Sequence, residues 1–91
     1  MADVIITFQV MPESPEEDLK VLEEKAKIEI ENFGGEVGKV EIEPVAFGLK
    51  AVNIVFVMDE SKGATDDLEE LISEIKGIQS VRVIDVRRAF G

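Results

Sequence analysis

The order in which two helical patterns alternate with four strand-like patterns constrains the fold of this chain more than any single motif. Strands are predicted over about residues 3–11, 37–43, 49–58 and 79–88, and helices over 15–33 and 66–76. Two right-handed crossovers joined by a hairpin then give a ferredoxin-like βαββαβ sandwich. We expect an α+β fold, with a four-stranded antiparallel sheet and two helices on one face, formed by residues 1–91 as one domain.

The composition of the four strands predicts their places in the sheet. The first and third strands are apolar on both faces, which favours central positions. The second strand is charged and ends at Pro44, which favours an edge. In the last strand the apolar face changes near Val83 and Ile84, which indicates either a bulge or burial on both faces. The face away from the helices should carry a mixed surface: Ile5, Thr7, Gln9, Ala51, Asn53, Val55 and Val57.

Both helices carry recognisable start and stop signals. Ser14 with Glu17 three residues later predicts a capping box, with Pro15 at the first helical position, and Gly34-Gly35 ends that helix, with either glycine free to take the left-handed conformation. Thr65 is predicted to cap the second helix, which Gly77 ends. The predicted buried stripes are Leu19, Leu22, Ala26, Ile30 and Phe33 in the first helix and Leu68, Leu71, Ile72 and Ile75 in the second.

The composition excludes several classes of chemistry. The chain has no Cys and no His, so disulfides, thiolate nucleophiles, Cys/His zinc sites and His-dependent triads are ruled out. A net charge of −10 argues against direct nucleic-acid binding. No segment approaches the roughly 20 apolar residues that span a membrane, and the N-terminus lacks the basic region of a signal peptide. We therefore expect a cytoplasmic protein that uses no cofactor, metal or membrane.

Two features remain as candidates for function. Phe47 lies in the turn between the second and third strands, next to Gly48, and all three arginines lie in the last ten residues. An aromatic ring at a loop tip is costly to expose unless it folds back on its own domain or docks on a partner, and both alternatives stay open at this point. Arg87 and Arg88 are either a solvated strand end or a contact for an anionic surface, and Phe90 is either a contact or a frayed end.

The sequence around Phe47 resembles the core motif of the translation elongation factor 1-beta family, in its archaeal form. The resembling residues are Val45-Ala46-Phe47-Gly48-Leu49-Lys50, followed by a long apolar strand and Asp59-Glu60. The segments Asp66-Asp67-Leu68-Glu69 and Ser80 to Val86 are similar to that family's second helix and last strand. The resemblance covers essentially the whole chain.

This resemblance implies a guanine-nucleotide exchange factor for elongation factor 1-alpha, which is not itself an enzyme, and it implies the same ferredoxin-like fold. In that family the Phe of the hairpin motif contacts the GTPase near its nucleotide site, a role that would fall to Phe47, with Gly48 shaping the turn. The family's eukaryotic domain ends with a functional Lys, which this chain lacks. Our hypothesis is that Arg87 or Arg88, with Phe90, takes that role, and that Phe47 and this basic tail act together.

Two other functions fit the same fold. A ferredoxin-like regulatory module would bind a small molecule at a strand–helix junction and would affect no GTPase. A purely structural subunit would use Phe47 and the open face of the sheet as packing surface.

Overall fold

A computed structural model describes residues 3–62 and 65–89 of the chain. The elements are β1 (Asp3–Pro12), α1 (Leu19–Phe33), β2 (Glu36–Pro44), β3 (Lys50–Asp59), α2 (Asp66–Ser73) and β4 (Ile78–Ala89). The sheet has the order β2-β3-β1-β4 with antiparallel pairing throughout, and its buried face packs against both helices. The predicted ferredoxin-like fold is therefore confirmed, with β1 and β3 central and β2 at an edge.

The core lies between the sheet and the two helices. Phe8 of β1 and Phe56 of β3 are fully buried and meet edge to face, with ring centroids 4.9 Å apart. Such a pair adds about 0.5–1.5 kcal/mol to the stability that burial alone provides. On the helix side, Leu22, Ala26 and Ile30 of α1 pack into this core, as their helical spacing predicts.

The first helix begins four residues later than the capping box predicts. Asp18 is the N-cap, and its carboxylate accepts hydrogen bonds from the backbone N–H groups of Lys20 and Val21 at 3.1 and 3.4 Å. Ser14 instead closes a turn, in which its hydroxyl accepts from the N–H of Glu16. The prediction that Ser14 caps α1 is wrong, because Asp18 supplies the same acceptor closer to the apolar stripe. Gly34 ends the helix with φ of 106°, as predicted.

The second helix is shorter than expected. Thr65 is its N-cap residue, but the Thr65 hydroxyl donates to the carboxylate of Glu69 at 3.0 Å and makes no capping bond to the backbone. Leu68 and Ile72 are fully buried, whereas Leu71 is half exposed, so its predicted burial is wrong. Neither of the helices that the structure describes is long and apolar enough to cross a membrane.

The predicted irregularity of the last strand is confirmed. The pairing of β4 with β1 shifts by one residue between Thr7 and Phe8, which face Asp85 and Val83 respectively. Ile84 is therefore the extra residue of a bulge, and the apolar face changes there because one residue is inserted into a two-residue repeat.

Because neighbouring strands run antiparallel, different strand termini and turns lie at the two ends of the sheet. At one end, Pro44 of β2 faces Lys50 of β3, and the β2–β3 turn extends beyond this pair. At the other end, Asp3 of β1 lies between Asp59 of β3 and Ala89 of β4. We call the first the hairpin end and the second the far end.

Candidate functional site

The turn at the hairpin end has a backbone that is unusual for its sequence. The N–H of Leu49 donates to the carbonyl of Ala46 at 3.3 Å, and the N–H of Val45 donates to the carbonyl of Leu49 at 2.9 Å. The two residues between Ala46 and Leu49 both have positive φ, 63° at Phe47 and 75° at Gly48. This is the pattern of a type I′ hairpin turn, in which Asn-Gly is the preferred central pair.

Phe47 occupies the position of that turn where Asn is usual. A bulky side chain in the left-handed region is a rare conformation, and such a conformation costs of order 1–3 kcal/mol. Nothing in the domain compensates by burying the ring, because Phe47 is 93% exposed. The next most exposed large apolar side chain among the described residues, Val86, is 59% exposed. The structure therefore resolves the alternatives left by the sequence: the ring does not fold back on its own domain.

Two clefts lie on either side of this turn. The cleft on the helix side of the sheet has a volume of about 270 Å³ and contacts the β1–α1 loop. The cleft on the open face has a volume of about 260 Å³. The first is lined by Pro12, Ser14, Pro15, Glu17, Leu19, Gly48 and Lys50, and the second by Glu41, Ile42, Glu43, Pro44 and Asn53. Sequence reasoning missed both clefts, since each is formed by residues that only the strand register brings together.

A row of polar side chains crosses the open face of the sheet next to the second cleft. The Nε of Arg82 donates to the Oε1 of Gln9 at 2.9 Å, and the Nε2 of Gln9 donates to Glu43 at 3.3 Å. Glu43 also accepts from the Nδ2 of Asn53 at 3.1 Å. The Oδ1 of Asn53 is buried and has no hydrogen-bond partner in the described part of the chain. Gln9 is only 8% exposed although it lies on the helix-free face, because its neighbours in this row cover it.

The two candidate arginines at the far end are already paired with carboxylates of the same chain. The Nε of Arg87 donates to the Oδ2 of Asp85 at 2.9 Å, and the Nη2 of Arg88 donates to the Oε1 of Glu60. All four side chains remain 41–75% exposed, so solvent screens both pairs. The third residue predicted for this end, Phe90, lies outside the described residues.

The structure does not bring Phe47 and the arginines together. Arg87 faces Ile5 and Arg88 faces Val4, both at the start of β1, while Phe47 lies beyond the opposite end of β3. The ten residues of β3 between the two ends correspond to roughly 30 Å at about 3.3 Å per residue. The expectation that the ring and the basic tail act together at one place is therefore wrong. The reason is topological: β4 runs antiparallel to β1 and must finish where β1 begins.

Six carboxylates follow β3 closely in the sequence: Asp59, Glu60, Asp66, Asp67, Glu69 and Glu70. Among the described residues there is no group of three or more His, Cys, Asp or Glu side chains arranged to hold a metal ion. Thr65 Oγ1 donates to Glu69, and Glu60 accepts from Arg88, so two of these carboxylates have roles in the local structure.

The chain matches known proteins over nearly its whole length. The family model of the EF-1 guanine nucleotide exchange domain matches residues 5–89. A protein named elongation factor 1-beta from Methanothermobacter thermautotrophicus is 43% identical over 88 residues, which cover 97% of this chain and 98% of that protein. Its namesake from Methanosphaera stadtmanae is 46% identical with the same coverage, and the one from Methanobrevibacter smithii is 39% identical over 89 residues, with the same shares covered.

Solved structures with little sequence identity share the fold alone. The C-terminal domain of the MgtC protein from Mycobacterium tuberculosis superposes with a TM-score of 0.64 at 9% identity, over 97% of this chain and 88% of that one. LarC2, the C-terminal domain of a cyclometallase, superposes with a TM-score of 0.58 at 13% identity, over 99% of this chain and 58% of that one. These likenesses agree with the ferredoxin-like architecture, and they carry no argument about activity.

Proposed function

This chain belongs to the family of EF-1 guanine nucleotide exchange domains, and on that premise we propose that it releases GDP from elongation factor 1-alpha by docking the Phe47 side chain on the GTPase. Its role as an exchange factor for that GTPase follows from the family. The residues that make the contact, and the nucleotide state that they favour, are our proposal.

The chemistry of such a role is differential binding. A factor that binds the nucleotide-free GTPase more tightly than the GDP-bound form must weaken GDP by the same factor, because the two equilibria are linked. Each tenfold preference corresponds to about 1.4 kcal/mol of interaction that the factor makes in one state and not in the other. A residue can supply such an interaction only if it still has contacts to make in the free factor.

The observation that carries the proposal is the state of Phe47. Its ring is 93% exposed, and its backbone is held in a conformation that a different residue would adopt more easily. Burying a Phe side chain is worth about 1.5–3 kcal/mol. That interaction is absent in the free protein and is gained only on a partner. Made with the nucleotide-free GTPase and not with the GDP-bound form, it supplies the tenfold to hundredfold preference that exchange requires.

Arg87 and Arg88 are proposed as a second, separate contact. They lie at the far end, so they would meet a different region of the GTPase from the one that Phe47 meets. Each guanidinium donates to one carboxylate of the chain and keeps further N–H donors exposed, and the neighbouring carboxylate of Asp85 or Glu60 partly neutralises its charge.

A small-molecule regulatory function is less well supported by the geometry. Ligand pockets usually have volumes of about 300–1,000 Å³ and enclose most of the ligand. The cleft at the strand–helix junction, where such a ligand would bind, has a volume of about 270 Å³. Both clefts are of a size that suits a side chain of a partner protein.

The test is GDP release from elongation factor 1-alpha loaded with a fluorescent GDP. We expect Phe47→Ala to lower the stimulated release rate about tenfold or more, because it removes the contact area of one Phe side chain. The free energy of unfolding should change little, since the ring contributes almost no buried surface to the domain.

Ile28→Ala provides the matched control, because it also removes an exposed apolar side chain, 54% accessible, from the outer face of α1. This variant should exchange like the wild type. Release by Phe47→Ala at the wild-type rate would remove Phe47 from the mechanism, and no stimulation by the wild type would contradict the exchange function itself.

A further inference from the structure

The row of polar side chains on the open face connects the edge strand β2 with β1, a strand that β2 does not pair with. β3 lies between them, and since neighbouring strands are about 4.8 Å apart, β2 and β1 are separated by roughly 10 Å. The Oε1 of Glu43 on β2 nevertheless accepts from the Nε2 of Gln9 on β1 at 3.3 Å. The same oxygen accepts from the Nδ2 of Asn53 on β3 at 3.1 Å. One carboxylate therefore joins three strands, and we call the bond between Glu43 and Gln9 the cross-strand tie.

The burial of the residues along this tie indicates a packed arrangement and not a loose surface contact. Gln9 is 8% exposed and Ala51 is fully buried, although both lie on the face without helices. Ala51 stands opposite Glu43 in the register and is not part of the core between the sheet and the helices. The amide of Gln9 is also bonded on its other side, where its Oε1 accepts from the Nε of Arg82 at 2.9 Å. Gln9 is therefore a fixed attachment point for the carboxylate of Glu43.

The tie acts at the base of the hairpin that carries Phe47. Glu43 stands one residue before Pro44, which faces Lys50 in the last pair of the β2–β3 ladder. Beyond this pair, the two backbone hydrogen bonds of the turn connect the turn only with itself, and the cleft of about 270 Å³ lies between Gly48 and the β1–α1 loop. The Phe47 ring, 93% exposed, adds no anchor of its own. The place of the turn relative to β1 therefore depends on how β2 and β3 are fixed to β1 at the base of the hairpin.

We infer that Glu43 and Gln9 are positioning residues for exchange, because the cross-strand tie holds the hairpin so that Phe47 meets the GTPase in one orientation. The inference rests on the proposed function, since the tie acts through the docking of Phe47. A hairpin that is already fixed in the free factor does not have to be ordered when the ring docks, so more of the interaction is available for binding. Gln9 is more than nine-tenths buried and acts from inside the factor, without a contact to the partner.

The experiment measures release of fluorescent GDP from elongation factor 1-alpha with variants that break the tie from either strand. Glu43→Ala removes the acceptor, whereas Gln9→Met removes the donor and keeps both a side chain of similar length and the charge of Glu43. We expect each variant to lower the stimulated rate about threefold to fivefold, the size of one hydrogen bond. Glu43→Gln keeps an acceptor oxygen and should stay within about twofold of the wild type. Thermal unfolding of each variant checks that the fold is retained.

A double-mutant cycle with Phe47→Ala separates positioning from direct contact. In the Phe47→Ala background, Glu43→Ala and Gln9→Met should cause no further loss, because the tie acts only through the ring. A further loss as large as in the wild-type background would overturn the inference. Full activity of Gln9→Met beside an impaired Glu43→Ala would also overturn it, since the carboxylate would then contact the GTPase itself.

The same measurements distinguish failure of the tie from failure of the proposed function. If Phe47→Ala is impaired while Glu43→Ala and Gln9→Met are fully active, the proposed function stands and the tie has no role in exchange. If Phe47→Ala releases GDP at the wild-type rate, the docking of Phe47 fails, and the inference about the tie fails with it.

Glu41→Ala is the matched control, because Glu41 lies on the same strand and face and its ion pair with Lys39, at 3.5 Å, stays within β2. It should exchange like the wild type, and a loss equal to that of Glu43→Ala would mean that acidic charge on β2 is what matters. Nitrogen-15 relaxation reports on the turn directly. The order parameters of the Phe47 and Gly48 amides should fall with both tie variants and not with Glu41→Ala. Unchanged order parameters in an impaired Glu43→Ala sample would contradict positioning.

Discussion

The two ends of the sheet are both exposed, but they leave their interacting groups in different states. At the hairpin end, the Phe47 side chain is 93% exposed. At the far end, Arg87 and Arg88 are each paired with a carboxylate of the same chain. The hairpin end presents an apolar ring that the free protein does not bury, and the far end presents arginines that already have carboxylate partners.

This difference determines how much each end can contribute to a complex. Burial of the Phe47 ring is worth about 1.5–3 kcal/mol and displaces only water. An arginine that binds a partner has a charge already partly neutralised by an exposed ion pair worth about 0.2–1 kcal/mol, and it gains a contact that salt screens. We therefore expect the hairpin end to provide most of the binding energy and the far end to provide a smaller contribution that depends on ionic strength.

The largest effect should come from the backbone of the turn. Gly48→Val places a β-branched residue at φ of 75°, although a Cβ there would contact no atom within 4 Å. The cost is therefore conformational, about 1–2 kcal/mol of unfolding free energy, and the exchange rate should fall because the turn no longer presents Phe47. Denaturant unfolding and GDP release measure the two effects.

Gly38→Val is the control for this comparison, because it makes the same substitution in the same hairpin. Gly38 has no positive φ, and a Cβ there would meet its nearest neighbour at an ordinary 3.8 Å. We expect this variant to keep its stability and its exchange activity. Equal losses with both variants would mean that the conformation of the turn is not what matters.

The sheet was predictable because its evidence is local. The apolar character of both faces in β1 and β3, and the charges and Pro44 in β2, are sufficient to assign central and edge strands. The bulge at Ile84 could be predicted because an inserted residue changes the phase of the alternation. The sequence did not decide whether Phe47 is exposed, since a ring in a turn can fold back on its own domain with no change in the alternation of apolar and polar residues.

The errors arose where distant residues decide the outcome. Ser14 and Asp18 are both good N-cap residues, and the chain uses Asp18 while the preceding loop is held by a hydrogen bond from the N–H of Glu13 to the carbonyl of Gly77. That bond joins residues 64 positions apart in the sequence, so no local pattern indicates it. The open-face cleft and the row of Arg82, Gln9 and Glu43 likewise exist only in the register of the folded sheet.

We expect a smaller effect from Phe47→Asn. This variant should gain stability and lose exchange activity. Asn adopts the left-handed conformation more easily than Phe, so this variant should gain up to about 1 kcal/mol of unfolding free energy. It should exchange as poorly as Phe47→Ala, because the ring is absent. Thermal unfolding and GDP release on the same sample test the pair of effects, and lower stability for the Asn variant would show that the backbone is not strained by Phe47.

The smallest effect should come from the far end, with Arg87→Ala and Arg88→Ala combined. Loss of two exposed ion pairs should change the unfolding free energy by at most about 1 kcal/mol. Stimulated GDP release should fall about twofold to fivefold at low salt, and the difference should disappear at high salt.

The chain offers a close control for this pair, since Lys20 and Lys27 on α1 are also paired with carboxylates, Glu24 at 3.9 Å and Glu23 at 3.7 Å. Replacing both lysines by Ala removes two paired cations without touching the far end, and exchange should stay at the wild-type rate. If this control loses as much activity as the arginine variant, net charge rather than the far end is responsible. A loss with the arginine variant that exceeds the loss with Phe47→Ala would invert the comparison, because paired cations would then contribute more to exchange than the exposed ring.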